Sequence, residues 1–265
     1  MSDANVTFAV FTKPWPTMPL PQLGLFIRDL GFDQIELPVR PGFQVEPAKV
    51  ARGLGEAARV LADCGLTIGS VAGPTDEATI AACAEVGIPL IRICIDIPEG
   101  RGYLEYEAYM QRKLDELEPL LDRYGVMVGV QNHYGRYVAN AMGIRHLIER
   151  YDRGRVGAVL DCAHCALGGE TPALALDIVW GRLCMVNLKN AYWRRANGPE
   201  APVAAYDAYW TSGRQGLCSW ATVAHELKER RYGGSVCLTA EYSDDAAVNR
   251  LIADDIAYAR SLFVQ

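Results

Sequence analysis

Residues 91–97 read Ile91-Arg92-Ile93-Cys94-Ile95-Asp96-Ile97, a strict alternation in which four isoleucines fall on one face and Arg92, Cys94 and Asp96 on the other. Side chains in a strand alternate between two faces, so this pattern predicts a strand over Leu90–Ile95 with isoleucine toward a layer of helices and the polar set toward a barrel axis. A strand at a sheet edge with one wet face alternates in the same way, and the rest of the chain decides between the two. Seven further apolar runs read as strands: Thr7–Phe11, Gln34–Leu37, Thr67–Val71, Met127–Gln131, Gly157–Asp161, Cys184–Lys189 and Ser235–Glu241. Amphipathic segments separate them at Glu46–Asp63, Asp76–Glu85, Tyr103–Tyr124, Ala141–Tyr151, Thr171–Trp180 and Trp220–Arg231, and Ala246–Leu262 closes the chain. Thr171-Pro172 is a helix start with proline in the first turn, and Cys64-Gly65 and Tyr124-Gly125 are glycine stops. Eight strands alternating with helices over about 250 residues is the arithmetic of an α/β protein of the (β/α)8 barrel class. A doubly wound sheet also alternates, but Phe11-Thr12-Lys13-Pro14-Trp15 after the first strand lacks the glycine-rich phosphate turn.

No Ser/Gly linker, charge block or repeat interrupts the 265 residues, so residues 1–265 are expected to form a single domain. Half the residues are apolar and the mean hydropathy is +0.02, enough for one sizeable core and incompatible with disorder. The net charge is −6 and the pI near 5.3, which supplies no basic field for a phosphate backbone; nucleic acid is not an expected partner. No apolar run reaches the ~18 residues of a bilayer-spanning helix. Met1-Ser2-Asp3-Ala4 lacks the basic-then-apolar order of a signal peptide, so a cytoplasmic protein with no membrane partner is expected. The 8 cysteines sit mostly in apolar runs and read as reduced core residues. Only Cys162-Ala163-His164-Cys165 has redox or half-zinc-site spacing, with no second pair to complete a cage.

In such a barrel, chemistry is built at the C-terminal ends of the strands. Strand two ends in Glu36, strand four in Asp96, strand five in Gln131-Asn132-His133, strand six in Asp161-Cys162-Ala163-His164, strand seven in Asn187-Leu188-Lys189-Asn190 and strand eight in Glu241. These oxygen and nitrogen groups could hold a divalent cation; singly, each carboxylate could equally be a helix cap or a surface ion pair.

The same residues resemble the sugar phosphate isomerase/epimerase family, the xylose isomerase-like TIM barrels of the AP endonuclease family 2 superfamily. Gly31-Phe32-Asp33-Gln34-Ile35-Glu36-Leu37 is similar to the family's segment on strand two, and Gly216-Leu217-Cys218-Ser219-Trp220 to the segment before the last helices. The resemblance implies one divalent metal, Mn2+ or Mg2+ foremost with Co2+ or Zn2+ as options. Its ligands would fall at Gln131, Asp161, Asn187 and Glu241, where the family carries Glu, Asp, His and Glu. Two of the four positions depart from that pattern. An amide oxygen is a poorer partner for a divalent cation than a carboxylate, and Gln131 cannot take up a proton. His133, two residues beyond Gln131 on the same face, is then the first candidate for a second acid or base. Lys189 would polarise a carbonyl or stabilise an oxyanion, or else pair with Asp161 or Glu241 in place of a missing metal.

The expected activity is a divalent-metal-dependent isomerisation or epimerisation of a keto-sugar, ketose or related polyol, by removal of the proton next to the carbonyl. Glu241, Lys189 and His133 are the expected catalytic groups, and Glu36, His164 and Arg214 would contact substrate. A lyase or dehydratase acting on an oxidised sugar or cyclitol starts with the same step, and a sugar-binding barrel without turnover is the third alternative. A DNA-repair phosphodiesterase is disfavoured: 4 histidines cannot build a histidine-rich trinuclear site. His146 and His225 read as ordinary helix positions. Tyr192 to Gly216 reads as a long irregular loop rich in aromatics, either a lid over a sugar or a homo-oligomer contact.

Overall fold

The computed structural model describes residues 6–264. Eight parallel strands close a barrel: β1 (Thr7–Phe11), β2 (Gln34–Pro38), β3 (Thr67–Ala72), β4 (Leu90–Cys94), β5 (Met127–Gln131), β6 (Val156–Asp161), β7 (Leu183–Leu188) and, after a two-stranded excursion of β8 (Asn190–Arg195) and β9 (Tyr206–Thr211), β10 (Ser235–Leu238). Each strand pairs with its sequence neighbour, and β1 closes the ring by pairing with both β10 (Thr7 opposite Ser235) and β2 (Ala9 opposite Gln34). Around it run α1 (Leu20–Asp29), α2 (Val50–Asp63), α3 (Glu77–Glu85), α4 (Tyr103–Tyr124), α5 (Ala141–Ile148), α6 (Cys162–Leu167), α7 (Pro172–Val179), α8 (Trp220–Glu229) and α9 (Val248–Phe263). The eight-strand count expected from the sequence is the observed one. Helices α1 and α6 lie outside the segments named from periodicity.

Local chemistry explains the boundaries. Helix α7 starts at Pro172, whose missing N–H costs nothing in a first turn. Helix α4 ends where Gly125 adopts a left-handed backbone (φ 68°) and donates its N–H to the Leu121 carbonyl. Apolar residues of one parity, such as Val10, Ile35, Ile91, Val128 and Val186, pack against the helices in one large cluster. The opposite parity fills the barrel with Ala9, Phe11, Leu90, Val159, Met185 and Cys237. Gly129 has no side chain because none fits: a Cβ there would lie 2.7 Å from Val159 Cγ2.

The alternation in β4 works as expected where the strand persists: Ile91 joins the helix-facing core and Arg92 turns inward. It stops at Cys94, so Asp96 leaves the barrel wall and lies exposed on the rim, bridged to Tyr137. The eighth barrel strand also stops early, at Leu238, which places Glu241 on the following loop rather than in the strand. The Tyr192–Gly216 stretch is irregular only in part. Strands β8 and β9 form an antiparallel ribbon with Ala191 opposite Trp210 and Trp193 opposite Ala208. All eight cysteines are free, and Cys162 and Cys165 are buried on α6. No helix among the described residues is long and apolar enough to cross a membrane.

Candidate active site

The C-terminal ends of the strands open into a cavity of about 390 Å³. Its floor is a hydrogen-bonded chain of side chains from β2, β4, β5, β6 and β7. Arg92 donates to both oxygens of Glu36, from Nε at 2.6 Å and Nη2 at 3.0 Å, and its Nη1 donates to Gln131 Oε1 at 2.6 Å. Asn187 Nδ2 donates to the same Gln131 oxygen at 3.0 Å, and Gln131 Nε2 donates to Asp161 Oδ2 at 3.1 Å. Glu36 and Arg92 form a buried ion pair whose geometry satisfies both forks, the condition under which such a pair is tolerated inside a protein. Glu36, proposed from the sequence to contact substrate, is therefore a counter-ion beneath the cavity and is not among its lining residues.

Asp161 closes β6 and caps α6: its Oδ1 accepts from the backbone N–H groups of Ala163 (3.0 Å) and His164 (3.2 Å). Burial raises its pKa to about 6 despite the nearby Lys189 ammonium. Asn132 fastens the same corner, accepting from the Asp161 N–H at 2.8 Å and donating to its carbonyl at 3.1 Å. His164 is buried, and desolvation with the neighbouring cations drives its pKa far down, so the ring is neutral. It lies against His133 with ring centroids 4.0 Å apart and the planes tilted by 35°. His133 lines the cavity and is likewise held below its ordinary pKa, chiefly by burial. With Nδ1 engaged by the Tyr134 carbonyl at 2.9 Å, the assigned tautomer leaves Nε2 as the basic nitrogen.

The wall opposite carries the charge. Glu241 follows Ala240, an alanine in left-handed conformation (φ 53°), a strained backbone of the kind that accumulates at functional sites. Lys189 Nζ donates to Glu241 Oε2 at 2.7 Å, and Lys13 Nζ donates to the other oxygen, Oε1. Burial alone would raise the Glu241 carboxyl; the two ammonium groups overcome it and hold the pKa down to about 2. Lys189 Nζ also sits 3.7 Å from the centre of the Trp210 ring, which β9 brings over the mouth. Phe11, Tyr134, Tyr137 and Trp210 complete an aromatic lining, while Trp193 and Tyr206 of the same ribbon face outward, 42% and 57% exposed.

Of the residues proposed from the sequence, Gln131, His133, His164, Asn187, Lys189 and Glu241 line one cavity, and Asp161 lies directly beneath. Arg214 lies apart, its guanidinium 3.6 Å from the ring centre of Tyr258 on α9. Lys13 and Arg40 line the cavity and were not singled out from the sequence, and Arg92, expected to face the barrel axis, lines it too without having been assigned a role there. The signal for Lys13 was available: it stands two residues past the end of β1, where a barrel places its chemistry.

The four residues that the family resemblance assigns to a metal do not suit a divalent cation in this arrangement. Both Glu241 oxygens face ammonium groups, Gln131 Oε1 accepts from Arg92 and Asn187, and both Asp161 oxygens accept N–H groups. Only Asn187 Oδ1 lacks a partner. Among the described residues no group of three or more His, Cys, Asp and Glu side chains is placed to hold a metal ion.

A family model described as a xylose isomerase-like TIM barrel matches residues 25–262. No curated protein sequence matches the chain. Among solved structures the barrel is similar to the apo form of 3-keto-D-glucoside 4-epimerase, YcjR, from E. coli, at 16% identity and TM-score 0.73, covering 97% of this chain and 100% of that one. It is similar to D-psicose 3-epimerase from Clostridium cellulolyticum H10, solved with D-tagatose, at 12% identity and TM-score 0.75, covering 98% and 100%. A xylose isomerase-like TIM barrel protein from Mycobacterium smegmatis in complex with magnesium matches at 15% identity and TM-score 0.70, covering 99% and 98%. At such identities the likeness is one of fold.

Proposed function

The chain belongs to the xylose isomerase-like TIM barrel family, and from that premise we propose that it is a sugar isomerase or epimerase acting on a keto-sugar or ketose by proton transfer at the carbon next to the carbonyl. One observation carries this reading: a carboxylate, an ammonium group and a neutral imidazole, on Glu241, Lys189 and His133, line a single cavity at the C-terminal mouth of the barrel. Glu241 takes the carbon-bound proton, the C–H electron pair moves into the new carbon–carbon double bond, and the carbonyl oxygen gains negative charge beside Lys189. His133, neutral and basic at Nε2, is the second proton carrier, in the role that the amide of Gln131 cannot fill. A substrate oxygen that draws the Lys189 ammonium toward itself also frees one Glu241 oxygen and raises its basicity. The printed activities of two structural neighbours, a 3-keto-D-glucoside 4-epimerase and a D-psicose 3-epimerase, support the substrate class.

Glu241 is the one carboxylate among the cavity-lining residues, and that favours a second reading, in which the same proton removal expels a leaving group from the next carbon. Incubation with D-psicose, D-tagatose and 3-keto-D-glucosides in deuterated water, read by NMR and mass spectrometry, decides. An isomer carrying one deuterium is expected, and its disappearance in Glu241→Gln. A product lighter by water moves the assignment to elimination, and undiminished exchange in Glu241→Gln overturns both.

A further inference from the structure

We infer that the ammonium groups of Lys13 and Lys189 occupy the place of a divalent cation at Glu241, so that the positive charge of this site is supplied by side chains and no metal is bound. Besides Glu36, which Arg92 holds, two carboxylates are in reach of the cavity, Asp161 beneath its floor and Glu241 on its wall, and these are the anionic ligands a hard cation would use there. Glu241 is already paired at both oxygens, by lysines far apart in sequence, one after β1 and one after β7. Arg92 adds a third cation, pointing Nη1 at Gln131 Oε1, the oxygen that a metal ligand at this position would offer. An ion held by Asp161, Gln131 and Glu241 would have to displace a guanidinium and two ammonium groups and then share the cavity with them.

Two of the three cations are built in, while Lys13 reaches Glu241 from the exposed side, 44% accessible. Lys189 is only 7% exposed, its charge rests on the Trp210 ring, and its backbone carbonyl accepts from Trp220 Nε1 at 3.1 Å. Arg92 is equally buried and is oriented by the bidentate contact with Glu36. An ammonium group at the carbonyl stabilises a developing oxyanion by the same electrostatics as a metal, without a requirement for an open coordination position. What the charge is used for rests on the proton-transfer reading above; the exclusion of metal does not.

The test is calorimetric titration of the full chain with MnCl2 and MgCl2, comparing the wild type with Lys13→Met/Lys189→Met, alongside elemental analysis of protein purified without chelator. The wild type is expected to hold no stoichiometric metal and to give no saturable heat at millimolar ion. The double variant, with Glu241 and Asp161 left uncompensated, is expected to gain one site with Mn2+ affinity raised at least ~10-fold. About one Mn or Mg per wild-type chain overturns the proposal. So does a double variant that keeps the wild-type circular dichroism and gains no affinity, since the ammonium groups would then not be what excludes the cation. If the double variant does not fold, Lys13→Met alone, whose ammonium is on the exposed side of the pair, frees Glu241 Oε1 and is expected to give a smaller gain in Mn2+ affinity; no gain in that folded variant overturns the proposal. Deuterium exchange into keto-sugars is read separately, so a failure of the proton-transfer assignment and a failure of the metal-free assignment are distinct results.

Discussion

Lys189 and Glu241, 52 residues apart in sequence, meet at 2.7 Å between Nζ and Oε2 on the wall of the cavity. The contact sets the charge state of the proposed base: with Lys13 on the other oxygen, Glu241 is ionised at neutral pH. Glu241→Gln keeps the shape and removes the basic oxygen. Its deuterium-exchange rate is expected to fall ~10²–10⁴-fold, with KM changed much less, the signature of a lost proton-transfer group. An equal rise in KM with unchanged kcat would reassign Glu241 to binding.

Arg92 and Glu36 make a prediction about stability. Removing one partner of a buried pair leaves an uncompensated charge, so Arg92→Met is expected to cost ~3–5 kcal/mol in urea unfolding. Arg92→Met/Glu36→Gln removes both charges and is expected to recover most of that loss. A double variant no more stable than Arg92→Met would show that the cost comes from the lost contact with Gln131 instead.

Asp255, on α9 and buried, accepts from the Gly213 N–H and the Tyr242 hydroxyl at 2.8 Å each, and tethers the loop after β9. Burial raises its pKa to about 6, above the ordinary carboxylate value. The folded state therefore holds a proton that the unfolded chain releases, and this contribution to stability grows as pH falls from 7 toward the unfolded value near 4, by ~2 kcal/mol at most. Urea unfolding at pH 5 and pH 7 is expected to show a smaller pH difference in Asp255→Asn than in the wild type; an unchanged difference would place the titration elsewhere.

The barrel was legible because its signals are local. Alternation in 91–97, glycine after α4 and proline at the start of α7 each act within a few residues; the glycine and proline boundaries fell where the local chemistry put them, while β4 ended at Cys94, short of the full alternation. The ribbon of β8 and β9 was missed although Asn190–Arg195 and Tyr206–Thr211 are rich in strand-forming aromatics. No two-residue turn joins them; ten residues intervene, so the pairing carries no short-range hairpin signal. The strand ends announced where Asp161, Lys189 and Glu241 would gather, but not with which partners. Lys13 and Glu241 are 228 residues apart, and Arg92 reaches Glu36 across 56; only closure of the barrel makes them neighbours. Asn190 shows the converse. It stands beside Lys189 in an Asn-x-Lys-Asn run that reads as ligands. Its amide instead donates to the Gly213 and Cys218 carbonyls and accepts from the Cys218 N–H, fastening the ribbon to the loop before α8.

Trp210 joins that ribbon to the chemistry. Its ring lies 3.7 Å from the Lys189 ammonium and edge-on to His164 at 5.3 Å, so it touches both halves of the cavity. Trp210→Leu keeps an apolar side chain but removes the negative face on which the ammonium rests. Lys189 then turns more strongly to Glu241, its remaining anionic partner, and is less available to a substrate oxygen. The expected result is a ~10-fold lower exchange rate with a melting temperature lowered by only a few degrees, because the residue lies at the half-exposed mouth rather than in the core. Trp210→Phe retains a π face and is expected to restore most of the rate. Equal losses in Trp210→Leu and Trp210→Phe would show that the indole acts by filling space over the sugar, and not through its contact with Lys189.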